Sequence, residues 1–133
     1  MTQTTQRFFE ARPESVGQAR SFASEALADW GLQDRVEDIR ICVSELVTNA
    51  LVHGTATGRG FLVKLDVDEE VVRLEVHDCR RQLPQARQPA ATDASGRGLI
   101  LVTTLADDWG VQDRTPFGKI VWSCFKDATG TAP

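Results

Sequence analysis

The sequence predicts an α/β protein: a two-layer sandwich with helices packed on one face of a mixed, mostly antiparallel sheet. Three observations carry this. Apolar residues in the first half of the chain recur at helical spacing. Two segments then alternate apolar and polar residues, as half-buried strands do. The chain closes on a second hairpin pattern, set off from the first by a long loop. A length of 133 residues, 41% of them hydrophobic, fits one domain with its own core. That core is expected over about 8–125, with a frayed tail over 126–133.

Taken in order, Gln6–Ala11 reads as a short first strand. Pro13 suits the first turn of a helix. Val16, Ala19, Phe22, Ala23, Ala26 and Leu27 extend that helix to about Trp30, where Gly31 ends it. Asp34, with Glu37 three residues on, reads as the capping box of a second helix running to about His53 and stopping at Gly54. Leu62 to Asp66 and Val72 to Asp78 form the arms of an antiparallel hairpin around Asp68-Glu69-Glu70. Cys79 to Ser95, "CRRQLPQARQPAATDAS", is a loop long enough to suggest function. Leu99, Ile100, Val102, Thr103 and Leu105 mark a short helix. "WGVQ" and "GKIVWSCF" make the last hairpin, turning at Asp113–Gly118. Trp109 and Trp122 fall in it as packing residues.

Composition excludes several classes. A net charge of −4 offers no basic surface for a phosphate backbone, so direct nucleic-acid binding is not expected. No apolar run reaches the roughly 20 residues of a membrane span, and the first residues lack a signal-peptide pattern. The expected location is the cytoplasm. The three cysteines are widely spaced, and the two histidines are not spaced as zinc ligands. This fits reduced, unpaired thiols.

One helix carries a chemical question. On a wheel of 100° per residue, Ile39, Val43, Leu46 and Ala50 centre the apolar face, and Arg40, Ser44 and Thr48 lie opposite. Glu45 and Asn49 share a stripe between apolar neighbours, with Cys42 and His53 beside them. Two oxygens four residues apart point the same way. Such a pair suits a hard cation such as Mg²⁺, with the carboxylate available as a general base. It equally suits a solvated helix edge or a local hydrogen bond.

Further along, Gly96-Arg97-Gly98 precedes a helix, where backbone N–H groups and an arginine attract phosphate. A plain loop-to-helix cap is the alternative. Leu101 stands at the third glycine position of a dinucleotide fingerprint, so that motif is excluded. Asp78 ends a strand and could accept a hydrogen bond from an amino group such as that of adenine; a polar strand end is the alternative.

Together the pieces resemble the GHKL (histidine-kinase-like) ATP-binding fold, also called the Bergerat fold. They are Glu45 and Asn49-Ala50 on one helix, Asp78, Gly96-Arg97-Gly98-Leu99 and Gly118-Lys119, in that family's order. "SELVTNALVHG", "GRGLILV" and "GKIVW" are similar to its anti-sigma-factor serine/threonine kinase branch in bacteria. The resemblance spans about Phe8 to Phe125. It implies that Asn49 coordinates Mg²⁺ on ATP, that Glu45 is the general base and that Asp78 binds the adenine amino group. It further implies nucleotide contacts from Gly96, Arg97, Gly98, Leu99 and Lys119, with His53, one turn past Asn49, either facing the phosphates or serving a structural role. Two positions depart from the pattern. Arg80 replaces a glycine that makes room for adenine, and Ile120 replaces a threonine near the adenine-binding carboxylate.

The implied function is a homodimeric cytoplasmic kinase. It would use ATP and Mg²⁺ to phosphorylate a serine or threonine of an anti-sigma-factor antagonist, and would otherwise hold a sigma factor. The alternative is a non-catalytic protein-binding module of the same fold, which the two departures favour. The detached ATP domain of a histidine kinase fits less well, since the chain carries no dimerising helix with an acceptor histidine.

Overall fold

The computed structural model describes residues 2–51, 60–78, 99–113 and 118–127. Its strands are β1 (Thr2–Glu10), β2 (Gly60–Asp68), β3 (Val71–Asp78), β4 (Asp108–Asp113) and β5 (Lys119–Lys126). The helices are α1 (Glu14–Trp30), α2 (Val36–Asn49) and α3, which covers residues 99–105. The strands form one sheet in the order β1-β2-β3-β5-β4. All four pairings are antiparallel, so among the described residues the expected mixed character is absent. β1 begins at Thr2, four residues before the expected strand, because its backbone stays paired with β2 as far as Asp68.

The sandwich follows from alternation along the strands. Phe61, Val63, Leu65 and Val67 of β2, Val72, Leu74 and Val76 of β3, and Val121 and Phe125 of β5 are buried on one face. They join Ala19, Ala23 and Leu27 of α1 and Ile39, Val43, Leu46 and Val47 of α2 in a single core. Removing this much apolar surface from water supplies most of the drive to fold.

Gly31 takes φ 75°, and Leu32 N–H bonds back to Leu27 O at 2.9 Å. This Schellman motif closes α1 as the sequence suggested. The start of α2 differs from expectation. No side chain caps it locally, and the position before its first residue is Arg35 rather than Asp34. The distant Asp127 carboxylate accepts the Arg35 N–H at 3.3 Å instead. Asp127 was expected in a frayed tail. It is fully buried, and its own N–H bonds to Glu70 O at 2.7 Å.

Arg35 is the junction of the fold. Its Nε donates to Asp38 at 3.0 Å, and its Nη1 donates to Asp107 Oδ2 and Lys126 O, both at 3.0 Å. Its Nη2 donates to Leu105 O, and its guanidinium lies 5.4 Å from the Phe125 ring centroid. One side chain thus ties α2 to the ends of α3 and β5. Across the helix pair, Arg20 of α1 donates to Ser44 of α2 at 3.0 Å, and Arg40 of α2 donates to Ser24 of α1 at 2.5 Å. Arg40 and Ser44, expected on the solvated side of α2, therefore face α1.

The sheet's other face, uncovered by the described helices, mixes charged side chains with apolar ones such as Phe8, Leu62, Ile120 and Trp122. On β3, Glu75 accepts from Arg73 Nε and bonds His77 Nε2, each at 2.7 Å. Arg73 stacks 4.6 Å over the Trp122 ring. That ring lies so close to Gly110 on β4 that a Cβ there would meet it at 2.7 Å. Trp122 is thus a cross-strand packing residue, as expected.

Arg35→Met should lower the unfolding free energy by about 2–3 kcal/mol, since several charge-assisted bonds are lost and two of their acceptors, Asp38 and Leu105 O, are in part-buried bonds. Urea denaturation reads this, and a loss under about 0.5 kcal/mol would contradict the junction role. A second expectation concerns acid. Burial alone would raise the Glu75 carboxyl, but the bonds from Arg73 and His77 outweigh it and hold the group below its ordinary value of 4.5. Its contribution is therefore complete above the unfolded-state value and is lost as pH falls through the lower folded one. Glu75→Gln should flatten the fall in stability below pH 4.5, measured by urea midpoints against pH.

Candidate functional site

The anchor at Arg35 sets a direction. β3 starts beside Glu70, which bonds Asp127, and ends at Asp78. α2 packs on β3 and starts at the same anchor, so it carries Asn49 toward the Asp78 end. α3 runs the other way, since its last residue, Leu105, is the one bonded to Arg35. Its first described residue, half-buried Leu99, therefore lies toward that far end and packs on the core. β5 begins there too, with Lys119 opposite Asp78. The ends of α2, β3 and β5 and the start of described α3 thus converge.

On α2, the wheel is largely as expected. Ile39, Cys42, Val43, Leu46 and Ala50 are buried, with Val47 added to the apolar face, while Glu45 and Asn49 are half-buried. Asn49 Oδ1 is shielded from solvent and accepts no hydrogen bond among the described residues. A buried amide oxygen left in this state costs about 1–3 kcal/mol. Such a cost is commonly met at a position that waits for a ligand. An amide oxygen is also a hard donor, the type Mg²⁺ takes, and Mg²⁺ normally completes its shell with water and phosphate. The donor set therefore fits Mg²⁺ carried in by a nucleotide. Among the described residues no cluster of three or more His, Cys, Asp or Glu gathers as a metal cage. The regular helix ends at Asn49, and residues 50–51 widen into a π turn, a distortion often found at functional positions.

Cys42, one turn before Glu45 on the same stripe, is fully buried. Burial, with the Asp38 charge adding to it, pushes its thiol up to about 12. It is a packing residue, not a nucleophile.

Asp78 is 3% exposed at the end of β3, on the helix-covered face. The pairing register separates the two residues that follow Gly118. Lys119 is opposite Asp78, whereas Ile120 is opposite His77 on the uncovered face. The expectation that Ile120 lies beside the carboxylate is thus corrected, because side chains alternate along a strand. Lys119 is the residue that shares the Asp78 face. Sequence reasoning grouped it with a turn motif, and only the register identifies its partner. His53, Cys79, Arg80 and Gly96-Arg97-Gly98 lie outside the described residues.

The sequence has counterparts among known proteins. Residues 9–125 match the histidine kinase-like ATPase domain, and the chain belongs to that family. Within it, the chain is 30% identical over 125 residues to an anti-sigma F factor of Geobacillus kaustophilus (strain HTA426), covering 86% of each protein. The anti-sigma F factor of Geobacillus stearothermophilus aligns equally well, at 30% over 125 residues and 86% of each. That of Bacillus licheniformis is 28% identical over 122 residues, covering 80% of this chain and 84% of the relative. No helix among the described residues is long and apolar enough to cross a membrane.

If the orphaned oxygen at Asn49 serves a ligand rather than the fold, removing it should not harm the ligand-free protein. Asn49→Ala is expected to leave stability unchanged within about 0.5 kcal/mol or to raise it. Urea titration without nucleotide tests this, and a loss above about 1.5 kcal/mol would make Asn49 a structural residue.

Proposed function

We propose that this protein is an ATP-dependent regulator of the anti-sigma-factor type, which phosphorylates a serine or threonine of a protein antagonist and otherwise sequesters a sigma factor. The observation that carries the reading is Asn49 Oδ1, shielded from solvent and without a partner among the described residues, next to half-buried Glu45 at the end of the fold where Asp78 also lies. Family membership and the anti-sigma F relatives supply the class of partner.

In this reading Asn49 would hold Mg²⁺, whose charge offsets that of the ATP phosphates. Asp78 accepts a hydrogen bond from the adenine amino group, and its burial fixes where the base sits. Gly96, Arg97, Gly98, Leu99 and His53 face the phosphates, and Lys119 completes the nucleotide site. Glu45, four residues before Asn49, accepts the proton of the attacking hydroxyl. A bond forms from that oxygen to the γ-phosphorus, the bond from the γ-phosphorus to the bridging oxygen breaks, and ADP leaves with the electron pair. Positioning and charge, rather than covalent help from the protein, carry such a transfer. A cytoplasmic homodimer is part of the same proposal, and light scattering of the purified chain tests the dimer.

Calorimetry with Mg·ATP on wild type and Asn49→Ala is the direct test. Tight binding that Asn49→Ala weakens at least tenfold, about 1.4 kcal/mol, is expected. Binding that is absent, or that is indifferent to Asn49, would leave the non-catalytic module as the function. With γ-labelled ATP and candidate antagonist proteins, Glu45→Ala should cut transfer at least a hundredfold, the lower range for a general base. Transfer that persists in Glu45→Ala would remove Glu45 from that role.

A further inference from the structure

We infer that Asp127 is a positioning residue for the nucleotide site: from the opposite end of the fold it fixes where Asn49 stands relative to Asp78. The inference rests on the nucleotide-binding reading above and deepens it. Its basis is one residue bonded to the starts of two elements. β5 pairs with β3 as far as Lys126, which is opposite Val71. Asp127 follows at once, and its N–H donates to Glu70 O at 2.7 Å, one residue before β3 begins. Its side chain is fully buried, and the carboxylate accepts the N–H of Arg35 at 3.3 Å, one residue before α2 begins.

The two elements that start at Asp127 finish at the two ends of the site. β3 runs 8 residues to Asp78, about 26 Å at 3.3 Å per residue. α2 runs 14 residues to Asn49, about 21 Å. Between them lies apolar packing, which is non-directional and resists separation more than it resists tilting. Hydrogen bonds have preferred angles, so the bonds at Asp127 are what orients one start against the other. A tilt of roughly 3° about that end carries Asn49 about 1 Å over the length of α2. Misplacement on that scale can cost a positioned contact roughly a hundredfold. No side chain caps α2 locally, so nothing at the helix start duplicates the Asp127 carboxylate. The Arg35 side chain reaches Leu105, Asp107 and Lys126, and so ties α2 to α3 and β5. The tie to the start of β3 is made by Asp127. Its carboxylate also complements the positive end of the α2 dipole.

The test uses the full chain and measures ATP affinity twice, with Mg²⁺ and in EDTA. The ratio of the two affinities reports whether Asn49 is placed to serve the metal. A loss of stability in a protein that still folds does not move that ratio. In wild type Mg²⁺ should strengthen binding roughly tenfold or more, the scale of one charge-assisted contact. Asp127→Ala should lose most of that factor, while its affinity in EDTA stays within about twofold because the base still meets Asp78. Asp127→Asn keeps a side-chain acceptor of equal capping strength and should keep the wild-type ratio. A folded Asp127→Ala with the wild-type ratio overturns the inference. So does an equal loss with and without the metal, or an Asp127→Asn that behaves as Asp127→Ala. Should Asp127→Ala fail to fold, Asp127→Glu decides, since it keeps the charge and carries the carboxylate one methylene further. It is expected to lower the ratio, and an unchanged ratio overturns the inference. Wild type that binds ATP in neither condition, or equally in both, defeats the nucleotide reading itself and the inference with it. Failure of the inference alone is distinct, because wild type then shows the Mg²⁺ effect and Asp127→Ala retains it.

Discussion

The fold depends on one arginine held at the meeting point of four segments. Arg35 opens α2, and its side chain gathers Leu105 at the end of α3, Asp107 before β4 and Lys126 at the end of β5. Its backbone N–H is taken by buried Asp127. Capping α2 with a group from the far end of the sequence makes the helix position a tertiary property, not a local one. From there α2 extends roughly 21 Å to Asn49, at 1.5 Å per residue. The candidate site is therefore set by an anchor that lies well away from it. A loss at Arg35 would be felt first as a change in where Glu45 and Asn49 stand relative to Asp78.

Polar groups fall into two kinds. Around Arg35 and along Arg73, Glu75 and His77, donors meet acceptors within the protein. At the other end, Asn49 Oδ1 is shielded from solvent yet accepts nothing among the described residues. Buried Ser123 Oγ, midway along β5, shares that state, so such groups are not confined to one pole. The same division explains why Cys42 carries no chemistry despite its place on the Glu45 stripe. It is on the satisfied, apolar side, where burial keeps the thiol protonated.

Much of this was legible in the sequence because burial imposes a period. The 3.6-residue repeat from Val16 to Leu27 and the alternation of "FLVKLDVD" and "VVRLEVHD" are direct traces of one covered face. The element order and the half-buried Glu45 and Asn49 follow from it. What escaped depends on contacts between distant residues. Asp34 and Glu37 carry the composition of a capping box, but Asp127 supplies the carboxylate. Arg40 and Ser44 are polar and so looked solvated, yet each meets a partner on α1. Ile120 and Lys119 could be told apart only by knowing which of them is opposite Asp78. A shift of one residue exchanges the two faces of a strand, and no local pattern in a short polar hairpin end fixes that register.

Both ends of the described chain sit at one pole of the molecule. Thr2 is paired with Asp68, and Asp127 bonds Glu70, so the two flank the same β2–β3 turn. With strands about 4.8 Å apart, three spacings separate them by roughly 14 Å. Asn49, Asp78 and Lys119 occupy the opposite pole. The domain is thus built like a plug with its leads on one side. It can be spliced into another polypeptide, tethered to a surface or carry a fluorescent tag at either end, and the face that would receive a ligand stays clear.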